Sequence, residues 1–444
     1  MHPILFRIPL LKTPLKLWWA LAAVAVVLAI YAALNVKKER NAALGSLLAA
    51  AVLGALGWNF RHVAYSTSTL PIYSFGVMLG LSLVVGWYVT LTLAEKVGLP
   101  RDPMATCYVI TAVAAIVGAR LVYVVTNVDE FKTLADVFAM RKGGLVAYGG
   151  FVGGFIGSWL YLRQLGIRVL PWADAVAPSL GLGLAIARIG SYLHGGDFGK
   201  RLGDSSPAWL QKLGTFPHWT SGTVDVGDGS PAFIRHLEVY RGSLLEAQLR
   251  KMDHAFPVHP TQLYESLFGL LLVALFFGLR KRTVFRGQMF FVVTFAYGVF
   301  RFLVEFLRDD TDREAWGPAF SQHLAIPMVL MLMSLGFIFG LSRMVRSERI
   351  RNVLRVISML PALGVFVWFK PADFASATGI KFTVSQWLAL VSSLLVSFFF
   401  AQLWQEARTQ PKLAMSLGDG AILTPPKEEN EDAPSKDDER PKQV

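Results

Sequence analysis

Apolar runs recur along this chain of 444 residues, each about as long as a bilayer core is thick. A helix needs roughly 20 mostly apolar residues to cross that core. Such runs lie at residues 17–35, 42–60, 72–94, 104–126, 144–162, 173–193, 261–279, 287–307, 322–341, 353–369 and 384–403. Hydrophobic residues make up 54% of the chain and charged residues 17%, which excludes an ordinary soluble globular protein. The sequence predicts an all-α polytopic membrane protein of about eleven spans.

Lysine and arginine concentrate in alternate loops, among them residues 280–286 and 343–355. Because cytoplasmic loops are enriched in these residues, we assign those loops to the cytoplasm. The net charge of +12 then reflects basic loops facing anionic lipid headgroups, and it indicates no nucleic-acid partner. The opposite helix ends therefore face outward, and these ends carry the charged residues of the apolar runs that are described below.

The apolar pattern is interrupted between residues 195 and 258, where we predict a small external head with Trp209, Phe216 and Trp219 available for its core. We divide the chain into an N-terminal extension with about two spans (1–68), a core of about seven helices that includes the head (69–343), two additional C-terminal spans (344–408) and a charged cytoplasmic tail (409–444). The tail has almost no apolar residues towards its end, a composition typical of disorder.

Charged side chains at the ends of apolar runs are expensive in a membrane and are commonly functional. Arg188 closes one run, and Arg301 and Glu305 stand four residues apart near the end of another, with Tyr297 one turn earlier. On a helix the latter three share one face, and an Arg–Glu pair leaves guanidinium donors for an anion. A structural ion pair between helices, and snorkelling of Arg188 to the interface, are the alternatives.

A second candidate feature is the sequence His259-Pro260-Thr261-Gln262-Leu263-Tyr264-Glu265, which reads as the start of a helix. The free N–H groups at such a start favour a phosphate, although an ordinary capped helix explains the same pattern. The glycine-rich run 143–154 indicates close helix packing or a backbone-lined cavity. Arg120, with Tyr123 at i+3, completes the candidate site at the outer end.

Metal and disulfide chemistry find little support in the sequence. Cys107 is the only cysteine, which excludes an intrachain disulfide and a cysteine-rich metal site. The eight histidines show no metal-binding spacing such as His-Glu-x-x-His. We therefore predict no metal and no cofactor.

Several ordered motifs between about residues 71 and 343 resemble the prolipoprotein diacylglyceryl transferase family. They are Val117–Tyr123, the glycine-rich run 143–154, Arg188-Ile189-Gly190 with Gly199, His259–Glu265, and Tyr297 with Arg301–Arg308. The resemblance covers about three-fifths of the chain and leaves out the first and last helices.

The resemblance implies a bacterial inner-membrane enzyme whose active site faces the periplasm. It would transfer the diacylglyceryl group of phosphatidylglycerol to the lipobox cysteine of a prolipoprotein, the first step of lipoprotein maturation, and release glycerol phosphate. The candidate catalytic residues are Arg188, Arg301, Glu305, Tyr148, His194 and His259. The candidate phospholipid-binding residues are Arg120, Ser191, Gly199, Gln262 and Tyr297.

This sequence departs from the family pattern at several of its motif positions. Tyr148 stands where the family usually has histidine, Ser191 where it has asparagine, and Phe75 where it has tyrosine. A family glutamate corresponds to Gly196, with Asp197 beside it as a possible substitute. The proton acceptor is therefore unassigned among His194, His259 and water. A weakened paralogue that binds lipid or lipoprotein precursors without turnover is the alternative to an active enzyme.

Overall fold

A computed structural model describes residues 4–9, 15–35, 64–65, 69–131, 146–217, 229–309, 315–368 and 379–420, together with residue 144 and scattered residues between 47 and 58. The N-terminal region contains two short antiparallel strand pairs. Strand β1 (Ile4–Pro9) pairs with β4 (Thr69–Tyr73), and β2 (Leu15–Lys16) pairs with β3 (Ala64–Tyr65). The prediction from sequence contains only helices in this region, so these strands are not predicted.

The remaining described elements are mostly helices. They are α1 (Leu17–Asn35), α2 (Ser74–Lys96), α3 (Arg101–Thr126), α4 (Ala147–Gln164), α5 (Val169–His194), α6 (Ala208–Gly214), α7 (Pro231–Val239), α8 (Leu244–Leu249), α9 (Thr261–Leu279), α10 (Gln288–Val304), α11 (Gln322–Phe339), α12 (Glu348–Trp368), α13 (Val384–Thr409) and α14 (Pro411–Ala414). Short 3-10 turns follow α9, α10 and α11.

Eight helices in the described ranges are long and apolar enough to cross a membrane, namely α2, α3, α5 and α9–α13. This confirms the predicted all-α polytopic membrane fold. Helices α2–α5 and α9–α11 supply the seven helices expected of the core. The predicted run at 42–60 lies mostly outside the described residues. Helix α1 contains the shorter apolar stretch Leu21–Leu34, and α4 is not among the eight.

Close packing explains the glycine-rich run. Helix α4 lies against α3 so tightly that a Cβ on Gly118 would overlap the carbonyl oxygen of Gly149, and one on Gly153 would overlap that of Ala114. Small residues allow this backbone approach where larger side chains would separate the helices. Of the two explanations for the run, the structure supports packing.

The C-terminal helices are integrated with the core. Helix α13 packs along α10, and α11 packs against both α12 and α13. The prediction of a disordered tail from residue 409 is wrong for its first part, because residues 410–420 are ordered against the loop ends. The backbone N–H of Arg168 donates to the Leu417 carbonyl at 2.8 Å, and that of Arg286 donates to the Ala414 carbonyl at 3.0 Å. Leu417 also packs against the main core. Residues 421–444 lie outside the described part of the chain.

The predicted head has a small hydrophobic core of its own. Phe216 is fully buried in it, together with Phe233 and Phe256. Trp209 is 64% exposed, so its expected place in this core is wrong: α6 turns it outward. Trp219 lies outside the described residues. The head therefore forms a compact unit between α5 and α9, next to the ends of both helices.

Candidate functional site

Three arginines and three carboxylates form one ionic network beside the head, which we call the ionic site: Arg188, Arg301, Arg308, Asp197, Glu265 and Glu305. Glu265, at the start of α9, has no exposed side-chain surface. Its carboxylate lies 2.9 Å from Arg188 Nε and 3.3 Å from Arg301 Nη1. A carboxylate this deeply buried is tolerated because cations surround it.

The two other carboxylates complete the network from different directions. Asp197 joins two arginines, with its Oδ2 2.6 Å from Arg188 Nη1 and its Oδ1 2.7 Å from Arg308 Nη2. Glu305 lies one helical turn after Arg301, and its Oε2 is 3.0 Å from Arg301 Nη2. The i, i+4 spacing read from the sequence therefore does place Glu305 on Arg301.

The segment after α5 brings Asp197 to the helix ends. Gly195 ends α5 in the left-handed conformation at φ 80°. Beyond it, Gly199 donates its N–H to the His259 carbonyl at 2.9 Å and forms a β-bridge with Arg308. A Cβ on Gly199 would lie 2.7 Å from both the His259 Cβ and the Leu307 carbonyl. Any residue other than glycine would therefore require the neighbouring segments to move apart. The predicted site residue Gly199 thus acts through its backbone.

Asp197 is held in an unusual conformation and electrostatic setting. Its φ of 56° is left-handed, a conformation that costs a non-glycine residue free energy. Burial by itself would raise the pKa of the Asp197 carboxyl, but Arg188 and Arg308 hold that pKa below its ordinary value, helped by a hydrogen bond from Ser191. Asp197 is therefore ionised at neutral pH.

Polar residues at the start of α9 and the end of α5 support Asp197. Thr261 donates from its hydroxyl to the Asp197 carbonyl at 2.5 Å, and Gln262 donates from its amide to the Gly196 carbonyl. Gln262 and Thr261 are fully buried. The predicted residues Ser191 and Gln262 thus lie beside the ionic site: Gln262 holds the backbone before Asp197, and Ser191 bonds to the Asp197 carboxylate. Pro260 precedes the helix, which begins at Thr261.

Tyr148, at the start of α4, lies on the other side of the arginines. Its hydroxyl donates to Ser385 Oγ at 2.7 Å, and Arg301 Nη2 donates to the same oxygen at 3.3 Å. Tyr148 also lies within electrostatic range of Glu305 and Arg308. Tyr297 lies within the same range of Glu265, Arg301 and Arg188. Both predicted tyrosines therefore border the ionic site.

The two candidate histidines lie at its edge. His194 is the last residue of α5 and interacts electrostatically with Asp197. His259 Nδ1 is 3.2 Å from the Tyr264 hydroxyl, and burial lowers the pKa of His259, so its ring is neutral at pH 7. Within the described residues, no group of three or more His, Cys, Asp or Glu side chains is arranged to hold a metal ion.

Arg120 lies at the packed pair of α3 and α4. It donates to the Gly144 carbonyl at 2.9 Å, and its guanidinium lies 5.5 Å from the ring centroid of Tyr123 and 5.3 Å from that of Phe131. Its described contacts therefore tie the segment before α4 to the end of α3. A role for Arg120 in phospholipid binding stays a prediction.

Three residues in or beside the site have no role predicted from the sequence. Glu265 and Arg308 stand inside motifs it quotes, and their burial in a charged network is what identifies them here. Ser385 gave no signal, because a serine in an apolar run is unremarkable and this one lies 84 residues after Arg301. Only the packing of α13 against α10 brings it to the site.

The fold and the site together define a class of protein: a polytopic membrane protein with an arginine-rich ionic site at one end of its helix bundle. A family model described as prolipoprotein diacylglyceryl transferase matches residues 62–338. The chain belongs to the prolipoprotein diacylglyceryl transferase family, which confirms the prediction made from the motifs.

Curated relatives bear names of the same kind. A phosphatidylglycerol--prolipoprotein diacylglyceryl transferase of Bacillus cereus strain G9842 is 28% identical over 251 residues, which is 56% of this chain and 82% of the relative. The protein of that name from Bacillus cereus strain Q1 is 29% identical, and the one from Bacillus anthracis strain A0248 is 28% identical, over the same shares. The matched region holds every member of the ionic site, whereas Ser385 lies beyond it.

Proposed function

We propose that this protein is an enzyme that transfers the diacylglyceryl group of phosphatidylglycerol to the lipobox cysteine of prolipoproteins. The thiolate of the substrate cysteine forms a C–S bond to the terminal glyceryl carbon of the diacylglyceryl group. The C–O bond from that carbon to the phosphate breaks, and glycerol phosphate leaves with the bonding electrons. The phosphate therefore gains one negative charge during the reaction, and stabilising that charge is the main electrostatic task.

The arrangement of Arg188 and Arg301 is the observation that supports this function best. Carboxylates fix both guanidiniums in place, and each guanidinium has five N–H donors, more than its described partners use. Their side chains remain 18% and 14% exposed, whereas Glu265 is fully buried. A phosphate can thus approach the arginines from the side away from the carboxylates. Prepositioned donors of this kind need no reorganisation when the charge develops.

The carboxylates have a positioning role in this proposal. Glu265 links Arg188 to Arg301, and Asp197 links Arg188 to Arg308. Three carboxylates against three arginines also bring the site close to neutrality before phosphatidylglycerol binds. This balance lowers the cost of burying the guanidiniums in a low-dielectric region.

The thiol proton needs an acceptor, and His194 has the better support of the two histidines. Asp197 lies within electrostatic range of the His194 ring, which places this histidine beside the ionic site at the end of α5. We assign proton acceptance to His194 and leave His259 as a neutral residue that borders the site through Tyr264 and Gly199. The variants His194→Gln and His259→Gln distinguish the two assignments when the transfer rate is measured against pH. Only the variant that lacks the proton acceptor should lose the rise of the rate with pH.

We further propose that the protein lies in the bacterial inner membrane with its ionic site towards the periplasm. The helix ends opposite the site carry Arg101, Arg163, Arg168 and the basic 3-10 turn Arg280–Arg282. Basic residues favour the cytoplasmic side, so the ionic site lies at the other surface, where secreted lipoprotein precursors emerge.

A transfer assay in liposomes tests the function. Purified protein, phosphatidylglycerol and a lipobox peptide are combined, and mass spectrometry follows the mass added to the peptide cysteine. We expect an adduct from the wild type and a loss of about 100-fold or more in rate for Arg188→Gln. Arg101→Gln is the matched control, because Arg101 forms an exposed pair with Glu95 at the opposite helix ends. No adduct from folded wild-type protein would contradict the proposal and favour a binding paralogue.

A further inference from the structure

A second cluster of arginines surrounds a cavity outside the region that matches the family. The cavity has a volume of about 270 Å³ and is lined by Arg343, Arg351, Arg355, Arg408, Trp404 and Gln405. These residues come from the turn after α11, from the start of α12 and from the end of α13. We call this cavity the arginine pocket.

The arginine pocket lies across the bundle from the ionic site. Helix α13 contacts the ionic site through Ser385 and the pocket through Trp404. Nineteen residues of helix separate them, which at 1.5 Å per residue is about 28 Å, close to the thickness of a bilayer core. The two sites therefore face opposite membrane surfaces.

The pocket arginines are held in place by neutral groups. Arg355 donates to Ser342 Oγ at 3.0 Å, and Arg343 donates to the Ala401 carbonyl at 3.3 Å. Within the described part of the chain, Arg343, Arg351, Arg355 and Arg408 form no ion pair with a carboxylate. None of these four guanidiniums is thus paired with a carboxylate within 4 Å among the described side chains.

Two buried donors in the pocket add an independent observation. Arg351 Nε and Trp404 Nε1 are both inaccessible and have no hydrogen-bond partner among the described residues. A buried donor without a partner costs about 1–3 kcal/mol. A phosphate in the cavity cannot reach these two nitrogens without a side-chain shift, so it binds through the Nη donors of the pocket arginines, with several oxygens at once.

The surroundings of the pocket indicate where the phosphate comes from. Val353, Val356 and Ile357 of α12 are 56%, 61% and 50% exposed, which places an apolar surface beside the arginines of the same helix. A phospholipid can lay its acyl chains on that surface while its headgroup enters the pocket. Basic pockets between helix ends and interfacial tryptophans are typical of such contacts.

We propose that the arginine pocket is a binding site for a phosphate group, supplied by the headgroup of an anionic phospholipid in the leaflet opposite the ionic site. The lipid bridges the turn after α11, the start of α12 and the end of α13, and so fastens these C-terminal helices to one another. Arg351, Arg355 and Arg343 bind the phosphate oxygens through their Nη donors.

Native mass spectrometry of the purified protein tests this proposal with dioleoyl phosphatidylglycerol as the probe and dioleoyl phosphatidylcholine as the zwitterionic comparison. We expect Arg351→Gln combined with Arg355→Gln to remove one bound copy of phosphatidylglycerol, with a loss of affinity of about tenfold or more at that site. The matched control is Arg346→Gln with Arg349→Gln, because both residues are exposed at the start of α12 or just before it and do not line the cavity. The control should retain the bound lipid.

Three outcomes would overturn the proposal or its lipid source. Equal loss in the pocket variant and the control would mean that general charge attraction holds the lipid. Equal retention of phosphatidylcholine would exclude recognition of an anionic headgroup. Displacement by inorganic phosphate at the concentration that saturates phosphatidylglycerol would exclude a lipid source. Retained transfer by the pocket variant shows that it is folded, and the lipid count itself requires no transferase activity.

Discussion

The two arginine clusters of this protein differ in what surrounds them. At the ionic site each arginine contacts at least one carboxylate, whereas the described arginines of the arginine pocket contact only backbone carbonyls and a serine hydroxyl. The first arrangement fixes the direction of every guanidinium before a ligand arrives. The second leaves a net positive charge that an anion from outside can neutralise.

This difference separates two uses of the same side chain. A site that must stabilise charge developing on a phosphate benefits from donors that are already oriented, and buried carboxylates provide that orientation. A site that only holds a lipid headgroup needs positive charge and space. Its arginines do not have to be fixed in one orientation by carboxylates. The carboxylates thus distinguish the two clusters more clearly than the arginines do.

Glu265→Gln tests this comparison with the largest expected effect. The substitution keeps the side-chain shape but leaves Arg188 and Arg301 without their shared counter-charge, so we expect a loss of about 3–5 kcal/mol in the free energy of unfolding. Transfer should fall sharply, because each guanidinium loses the carboxylate that links it to the other and keeps only Asp197 or Glu305. Unfolding in detergent and the liposome assay measure the two effects.

Glu95→Gln is the control for this experiment, since Glu95 is 41% exposed in its pair with Arg101. Exposed pairs contribute about 0–1 kcal/mol, so the control should behave like the wild type. Equal effects of the two substitutions would remove the distinction between a buried, organised network and ordinary surface pairing.

The head contains a third group of cationic side chains, around His236. Its effect on stability depends on pH, which allows a comparison with the two arginine clusters. Burial, together with Arg201 and Arg235, lowers the pKa of His236 to about 4. Because the unfolded state binds a proton near pH 6.5 and the folded head does not, the stability present above pH 6.5 is lost as pH falls towards 4. The loss is about 3 kcal/mol at most.

Hydrogen exchange of α7, corrected for the intrinsic pH dependence, measures this effect. His236→Phe should abolish it, because the ring packs between Tyr240 and Phe256 with no hydrogen bond to either of its nitrogens among the described residues. His254→Gln in the same head is the control, since 37% of the His254 side chain is exposed. An unchanged pH dependence in His236→Phe would assign the titration to another group.

Ser385→Ala has the smallest expected effect and tests the contribution of α13 to the ionic site. Removing the hydroxyl takes one acceptor from Tyr148 and Arg301, which at about 1 kcal/mol lowers the transfer rate roughly fivefold. Ser392→Ala is the matched control, because its hydroxyl bonds only to the Ala389 carbonyl of its own helix. Equal rates in the two variants would show that α13 merely covers the site.

The helices and most of the site were predictable from sequence because the signals are local. Apolar length gives the spans, and the i, i+4 spacing gives the pairing of Arg301 with Glu305. The strands β1–β4 were missed, as they lie in a region read only for hydropathy. The order in residues 410–420 was missed because it depends on Arg168 and Arg286, which are remote in sequence.

The central place of Glu265 needed the fold, since two segments remote from it in sequence, the end of α5 and the end of α10, bring three arginines to it. Ser385 illustrates the same limit more strongly: nothing around it in sequence distinguishes it from other serines in α13. Arg120, by contrast, was grouped with the site from its position near an outer helix end. Its described contacts are with the α3–α4 pair.

The sequence by itself determined that this chain folds as a membrane-embedded helical bundle of the diacylglyceryl transferase family, because hydrophobic length and ordered motifs are properties of single segments. The tertiary structure alone decided which charges meet: Glu265 with three arginines at one end, and four arginines in no described ion pair with a carboxylate at the other. The physical reason is that pairing free energy depends on distances between side chains on different helices. Helix packing sets those distances, and no local pattern encodes them.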